Sequence, residues 1–490
     1  MSGTGQSGLG ENPSLQNSTS KDRLSWGRLV AFALPAAPIS ALGLPLVVHL
    51  PHFYDRHTTL TAAAVGLIFM IARFWDVFTD PVLGLLSDKF ETRWGRRRHW
   101  IVASVPIMLI SVFMVFMPPE GAGALYLTFW MFFLYVGWTL LTVSHMSWGA
   151  ELTPDYHERS RVQGVREMLL IFGMVFVLVL PVLSAYLVPA ESRPEAVTLM
   201  GWFVIIFLPI TVCIAVSSVG EVKTPQPDHF TWGEAVALIK RNRPLQILLS
   251  ADLFSGIGNG IVSSLFLYLA LDVLMLGNFS NVLLLVYFIS GLSFVGPAIW
   301  LSNRVGKHKA AIFSSLFSGL TVPLIFLLPE GNYVLSALCW TVLGVNMGAG
   351  PFLFRSIMAD VVDHDAVESG HQRTGLFYAL LTSTNKIGYA IAIGISMASL
   401  DWLGIETGKE NTEEALFGLQ LIYILPSFTI SLIVAWLLSY FPLGEVQQRA
   451  NREILAKRTL DAAAEAIAVR TIEPVNVNSA VSEGAPRTDP

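Results

Sequence analysis

Charge is scarce in this chain: only 14% of its 490 residues are Asp, Glu, Lys or Arg, against about 25% in an ordinary soluble domain. That shortage excludes a water-soluble protein. Cysteine is nearly absent as well. Cys213 and Cys339 both sit inside apolar runs, and such a pair supplies neither a disulfide framework nor a zinc site. The net charge is -5 and no strongly basic tract lies outside short loops, which leaves no footprint for nucleic acid. No metal-spaced His/Asp cluster, nucleophile elbow or phosphate loop occurs, so an enzyme is not expected, nor a bound metal or other cofactor.

Hydrophobic residues make up 53% of the chain and gather into about a dozen runs. Each is long enough to cross a hydrocarbon layer of ~30 Å as a helix. The spans fall near 29–50, 62–86, 100–117, 123–148, 167–188, 198–219, 245–271, 279–302, 310–328, 332–354, 374–400 and 414–441. The expected fold is an all-α membrane protein with twelve transmembrane helices. The Ser/Gly/Asn-rich residues before the first span read as a flexible tail. That span itself is too long and too late for the apolar region of a signal peptide.

Twelve spans place both ends on one side, and the side follows from Lys and Arg, which are retained in cytoplasmic loops. The second-to-third connection holds Lys89, Arg93, Arg96, Arg97 and Arg98; the fourth-to-fifth holds Arg159 and Arg161; the central one holds Lys223, Lys240, Arg241 and Arg243; and the eighth-to-ninth adds Arg304, Lys307 and Lys309. The opposite connections offer only Arg56, Arg193 and Lys409. Both termini are therefore expected in the cytoplasm, with the chain in a cell (inner) membrane and the lipid bilayer its constant partner.

The Pro- and charge-rich connection divides the spans into six plus six. The expected organisation is a tail over 1–27, a six-helix bundle over 28–220, a linker over 221–243, a second bundle over 244–441 and a cytoplasmic tail over 442–490. Within that last tail, the stretch from Glu445 to Arg470 has the composition of a surface helix, and the final residues look disordered. The halves repeat one another: Ser87-Asp88-Lys89 through Gly95-Arg96-Arg97-Arg98 recurs as Ser302-Asn303-Arg304-Val305-Gly306-Lys307, and Glu151, Asp155 and Arg159 recur as Asp360, Asp363 and Arg373. Paired six-helix repeats around a midplane site are the architecture of secondary transporters.

Ionisable groups inside spans are costly and so mark function. In span two, Asp76 and Asp80 stand at i and i+4 on one helix face, with Thr79 beside them and Arg73 one turn before. Two carboxylates about 6 Å apart repel in low dielectric and invite a cation between them or a proton on one. Hard oxygens suit Na⁺ or H⁺ rather than a transition metal. The alternative is an Arg73–Asp76 ion pair with Asp80 reaching toward the cytoplasmic face. Lys386, mid-span in the eleventh helix with Asn385 beside it, needs a buried partner: either the span-two carboxylates across the cavity or a carbonyl network. Thr139 and Thr142 of span four either complete an ion shell or bond back to their own helix. Asp252 faces the cavity or lies just inside the cytoplasmic boundary.

The connection Gly84-x-x-x-Asp88-Lys89 with Gly95-Arg96-Arg97-Arg98 sets an acid, a tight turn and a cationic cluster at a helix end. With Glu151, Asp155, Asp360 and Asp363 as partners, such a cluster can lock one conformation of a rocking bundle. Arg159 and Arg373 complete this cytoplasmic gate.

At these residues the chain resembles the glycoside-pentoside-hexuronide:cation symporter family of the major facilitator superfamily. The resemblance runs through nearly all spans and is carried by Arg73-x-x-Asp76-x-x-x-Asp80-Pro81-x-x-Gly84 with Arg93-Trp94-Gly95, by Glu151-Leu152-Thr153-x-Asp155-x-x-Glu158-Arg159 with Arg166, and by Met358-Ala359-Asp360-Val361-Val362-Asp363 with Gly370, Arg373, Gly375 and Lys386. It implies the major facilitator fold and a coupling cation, Na⁺ or H⁺, on Asp76 and Asp80, assisted by a threonine near Thr139. It further implies Lys386 at the cation and sugar sites and Arg166 at the inner mouth. Members that carry melibiose hold sugar hydroxyls with aspartates in helices one and four. Here the first span has no acid and Thr142 stands at the second place, which weighs against a galactoside. The expected activity is cation-coupled symport of a sugar or glycoside-type solute by a chain functional as a monomer. A sodium-coupled lysolipid carrier and a transporter-like sensor are the alternatives.

Overall fold

The computed structural model describes residues 24–90, 92–153, 156–221, 232–370 and 373–472; the N-terminal tail, the proline-bearing part of the linker and the last residues of the chain lie outside this set. Twelve long helices follow one another: α1 (Trp26–His57), α2 (Ala62–Lys89), α3 (Arg98–Phe116), α4 (Ala124–Glu151), α5 (Tyr156–Leu187), α6 (Ala196–Ser218), α7 (Arg243–Val273), α8 (Phe279–Val305), α9 (Lys307–Leu327), α10 (Tyr333–Ser369), α11 (Thr374–Leu403) and α12 (Glu413–Ser439). A short amphipathic helix, Trp232–Arg241, precedes α7, and α13 (Glu445–Ile472) follows α12.

Eleven of these helices are long and apolar enough to cross a membrane. The exception is α11, which has the length but carries Thr382-Ser383-Thr384-Asn385-Lys386 at its middle. Its polarity marks the site rather than an end of the bundle. Side-chain caps begin several helices: Thr61 accepts the Ala64 N–H at α2, Asn242 the Leu245 N–H at α7, and Thr412 the Ala415 N–H at α12. Large apolar side chains such as Phe172, Leu320, Val334 and Trp436 stand mostly exposed on the outside of the bundle. They suit a lipid surround, in which every backbone polar group is satisfied within its helix.

The repeat read in the sequence is a repeat of packing. In the first half α1 lies on α5, α2 on α4, and α3 on α4 and α6; in the second half α7 lies on α11, α8 on α10, and α9 on α10 and α12. The halves meet through α2 with α11, α5 with α8 and α1 with α7. An even number of crossings puts both ends of the chain on one side, here named the terminal face, opposite the far face.

The α7–α11 crossing is tight because Gly256-x-x-x-Gly260 leaves a groove for α11. A Cβ at Gly388 would lie 2.6 Å from the Leu253 carbonyl oxygen, and one at Gly256 would lie 2.9 Å from that of Asn385. This close approach sets the height and rotation at which α11 presents its polar run.

Candidate functional site

Asp76 and Asp80 occupy successive turns of α2, facing α4 and α11. Asp76 is 1% exposed, a burial that no carboxylate tolerates without partners. The partners come from two other helices. Thr139 of α4 sets its Oγ1 2.9 Å from Oδ1 of Asp76 and 2.9 Å from Oδ1 of Asp80. Its single proton serves one carboxylate at a time. From the other half of the molecule, Lys386 places Nζ 2.8 Å from Asp76 Oδ2 and 2.5 Å from Asp80 Oδ2. The approach to Asp76 lacks hydrogen-bond alignment and leaves Oδ2 without a donor. Access is one-sided, since the Asp80 and Lys386 side chains are 28% and 19% exposed whereas that of Asp76 is sealed.

Arg73 completes the group. Its guanidinium lies over the Tyr135 ring, 5.8 Å from the centroid, with Nη1 3.4 Å from the hydroxyl, and its field reaches Asp76. Tyr135 was not singled out in the sequence. The signal was its place four residues before Thr139, on the same face of α4.

Not every expected hydroxyl joins the carboxylates. Thr79 Oγ1 donates to the Asp76 carbonyl at 3.2 Å and Thr142 Oγ1 to the Trp138 carbonyl at 2.8 Å. Both satisfy backbone of their own helix, the usual outcome for threonine within a helix. Asn385 turns toward α7: its Nδ2 is 3.4 Å from Asp252 Oδ1, and Thr384 donates to Oδ2 at 3.0 Å. Asp252 is thus buried against α11, one residue along from Lys386. Arg166 of α5 is buried, pairs with its neighbour Glu167 at 3.0 Å, and feels the charge of Arg355 on α10.

The expected gate residues form two braces on the terminal face. In the first half, Arg96 and Arg97 meet Glu151 at 2.7 and 2.8 Å, and Arg97 also reaches Ser87. Glu221, just after α6, accepts the backbone N–H groups of Arg96, Arg97 and Arg98 at the start of α3, which places an anion at a positive helix end. The turn needs Gly95, with φ of +111°, because a Cβ there would run into the Glu221 carboxylate. In the second half, Lys307 meets Asp360 at 2.8 Å, Arg452 of α13 meets Asp360 at 3.2 Å and Asp363 at 3.7 Å, and Arg373 meets Asp365 at 3.2 Å. Asp155 and the side chains of Asp88 and Arg159 lie outside the described residues.

The contacts named for each brace lie within one half. Among the described residues, polar contacts join the halves at the midplane and toward the far face. Besides Lys386, they include Tyr268 and Thr407 donating to Asp55, the Ala63 N–H to Asp401 at 3.1 Å, and His49 Nε2 with Asn281 at 3.2 Å. Met70 packs against Gly394 and Met397 against Gly66 on the same side.

Comparison with known proteins agrees with this architecture. The chain is 23% identical over 487 residues to the sodium-dependent lysophosphatidylcholine symporter 1 of Homo sapiens, covering 89% of each chain. It is 23% identical over 437 residues to the glucuronide carrier protein homolog of Escherichia coli (strain K12), covering 86% of this chain and 94% of that one. The crystal structure of the nucleoside transporter NupG superposes with a TM-score of 0.63 at 14% identity, over 86% of this chain and 100% of that one. The profile of MFS/sugar transport proteins matches residues 31–445, so the chain belongs to that family of multi-pass membrane transporters, with the glycoside-pentoside-hexuronide:cation symporters of the major facilitator superfamily.

Proposed function

We propose that the protein is a cation-coupled symporter of a sugar or glycoside-type small solute, working by alternating access around Asp76 and Asp80. The observation that carries this reading is Lys386 Nζ lying within 2.8 Å of both carboxylates from the opposite half. Lysine stands where a coupling ion would bind. When Na⁺ or H⁺ takes the carboxylates, Lys386 is released and the tie between α2 and α11 loosens. The same ion contacts therefore bias the rocking of the halves, and ion and solute raise one another's affinity.

The cation-rich connections argue that the terminal face is cytoplasmic, so a molecule closed at its far face presents its site to the cell interior. Arg166 lies toward that opening, and the two braces keep each half rigid as it rocks. Nothing in this scheme requires a second copy of the chain.

A second reading, sodium-coupled transport of a lysolipid, is favoured by the lysophosphatidylcholine symporters among the relatives. An apolar crevice of about 500 Å³ between α8, α9 and α10 also offers room for an acyl chain. Uptake into proteoliposomes under an imposed Na⁺ or H⁺ gradient separates the readings when sugars, glycosides, uronides and lysophosphatidylcholine are screened in parallel. Asp76→Asn and Asp80→Asn are expected to lose gradient-driven accumulation. Concentrative uptake intact in both variants would overturn the assignment of the ion site.

A further inference from the structure

A cavity of about 410 Å³ opens toward the far face, walled by α1, α5 and α6 from one half and by α7 and α8 from the other. It lies on the far-face side of Lys386, beside the contacts that fasten the halves. Three buried atoms in its wall have no hydrogen-bond partner in the protein: His49 Nδ1, Ser184 Oγ and Arg193 Nε. Ser184 is 8% exposed and His49 is 4% exposed, so neither is a solvated rim group. Buried polar groups are ordinarily paired, and three orphans around one cavity single it out.

The three differ in kind. His49 pairs Nε2 with Asn281 Oδ1, which makes Nε2 the donor and leaves Nδ1 an acceptor. Ser184 both donates and accepts. Arg193 is held by donation from Nη2 to the carbonyls of Ala185 and Val188, and its Nε–H remains to donate. A wall that wants a donor at one point and acceptors at another is matched by hydroxyl groups, which are both. An acyl chain would leave all three unpaired. A bare anion satisfies only the donors and meets Glu195 on the rim, while Arg56, the other cation there, is already opposed by Asp272. The volume suits one or two sugar rings.

We propose that this cavity is a second, outer binding site for a polyhydroxylated solute, which captures it before the far face opens. The inference rests on the sugar-type reading above. Its walls belong to both halves, and the His49–Asn281 contact forms part of its floor. Separation of the halves then joins the cavity to the midplane site.

The test uses full-length protein in lipid nanodiscs with Cys213→Ala and Cys339→Ala, carrying Ser184→Cys as a reporter of the wall. The rate of its reaction with N-ethylmaleimide is measured with methyl β-D-glucoside, D-xylose, D-glucuronate, inorganic phosphate or lysophosphatidylcholine present. At least one of the three sugars is expected to slow labelling fivefold or more, with phosphate and the lysolipid leaving the rate unchanged. No protection by any sugar, or equal protection by phosphate or lysophosphatidylcholine, overturns the proposal. Asn281→Cys reports on the opposite wall if the first variant does not fold. Repeating the measurement with Asp76→Asn separates the two sites: protection that persists belongs to the outer cavity, and protection that vanishes belongs to the midplane and defeats the inference. Protection intact in a variant that still accumulates solute under a gradient would instead defeat the ion-site reading alone.

Discussion

Lys386 does two jobs with one ammonium group: it lies between two carboxylates that would otherwise repel, and it ties the halves together. Removing one partner of such a buried set costs about 3–5 kcal/mol because the remaining charges are left uncompensated. Lys386→Ala is therefore expected to lower thermal stability in the absence of a coupling ion, and to regain part of the loss when Na⁺ or acid supplies the missing charge. A melting curve indifferent to both would contradict the arrangement. Thr139 makes a smaller contribution. Hydrogen bonds to charged groups contribute about 1.5–3 kcal/mol, so Thr139→Ala is expected to weaken the apparent affinity for the coupling ion by about tenfold or more, read from the ion dependence of uptake. Thr142→Ala, whose hydroxyl serves its own backbone, is expected to leave that affinity within twofold. The sequence exposed the carboxylates and the lysine because charge in an apolar run is conspicuous. It could not rank the threonines, since a hydroxyl at the right spacing bonds as readily to its own helix as to a neighbour.

At the scale of helices, the position of the site depends on how α11 lies between α7 and α2. Gly388→Val would press a side chain against the Leu253 carbonyl, and overpacking of this kind costs about 1–3 kcal/mol. The expected result is a less stable protein in which Lys386 no longer spans both carboxylates, detectable as a lower melting temperature together with loss of coupling. The far-face closure is a separate element. Asp55 accepts hydrogen bonds from the Tyr268 and Thr407 hydroxyls of the other half, so Tyr268→Phe should shift the balance toward a state open at the far face, measured as widened spin-label distances across that face. An unchanged distance distribution would show that apolar packing alone holds the closure. Span positions were legible from hydropathy, and the pairing of halves from the repeated motifs. The closure was not, because Asp55, Tyr268 and Thr407 lie far apart in sequence and none is unusual at a helix end.

For the whole molecule, the charges at the midplane can be counted. In formal charge Arg73 and Lys386 match Asp76 and Asp80, while Asp252 stands apart between α7 and α11, its carboxylate held by Thr384 and Asn385. On the proposed coupling, the protein's own charges return in every cycle and cancel, so one monovalent cation carried with a neutral solute moves one positive charge across the bilayer. Moving it through a membrane potential of about 100 mV is worth about 2.3 kcal/mol, or roughly fiftyfold in the accumulation ratio. A neutral solute should then be concentrated by an imposed voltage alone, interior negative, even with no difference in ion concentration. A solute bearing one negative charge should be indifferent to voltage, because it carries its own compensation. Because Arg73, Lys386 and the two carboxylates stay with the protein in both directions, the voltage dependence of the proposed symport would read the charge of the cargo alone.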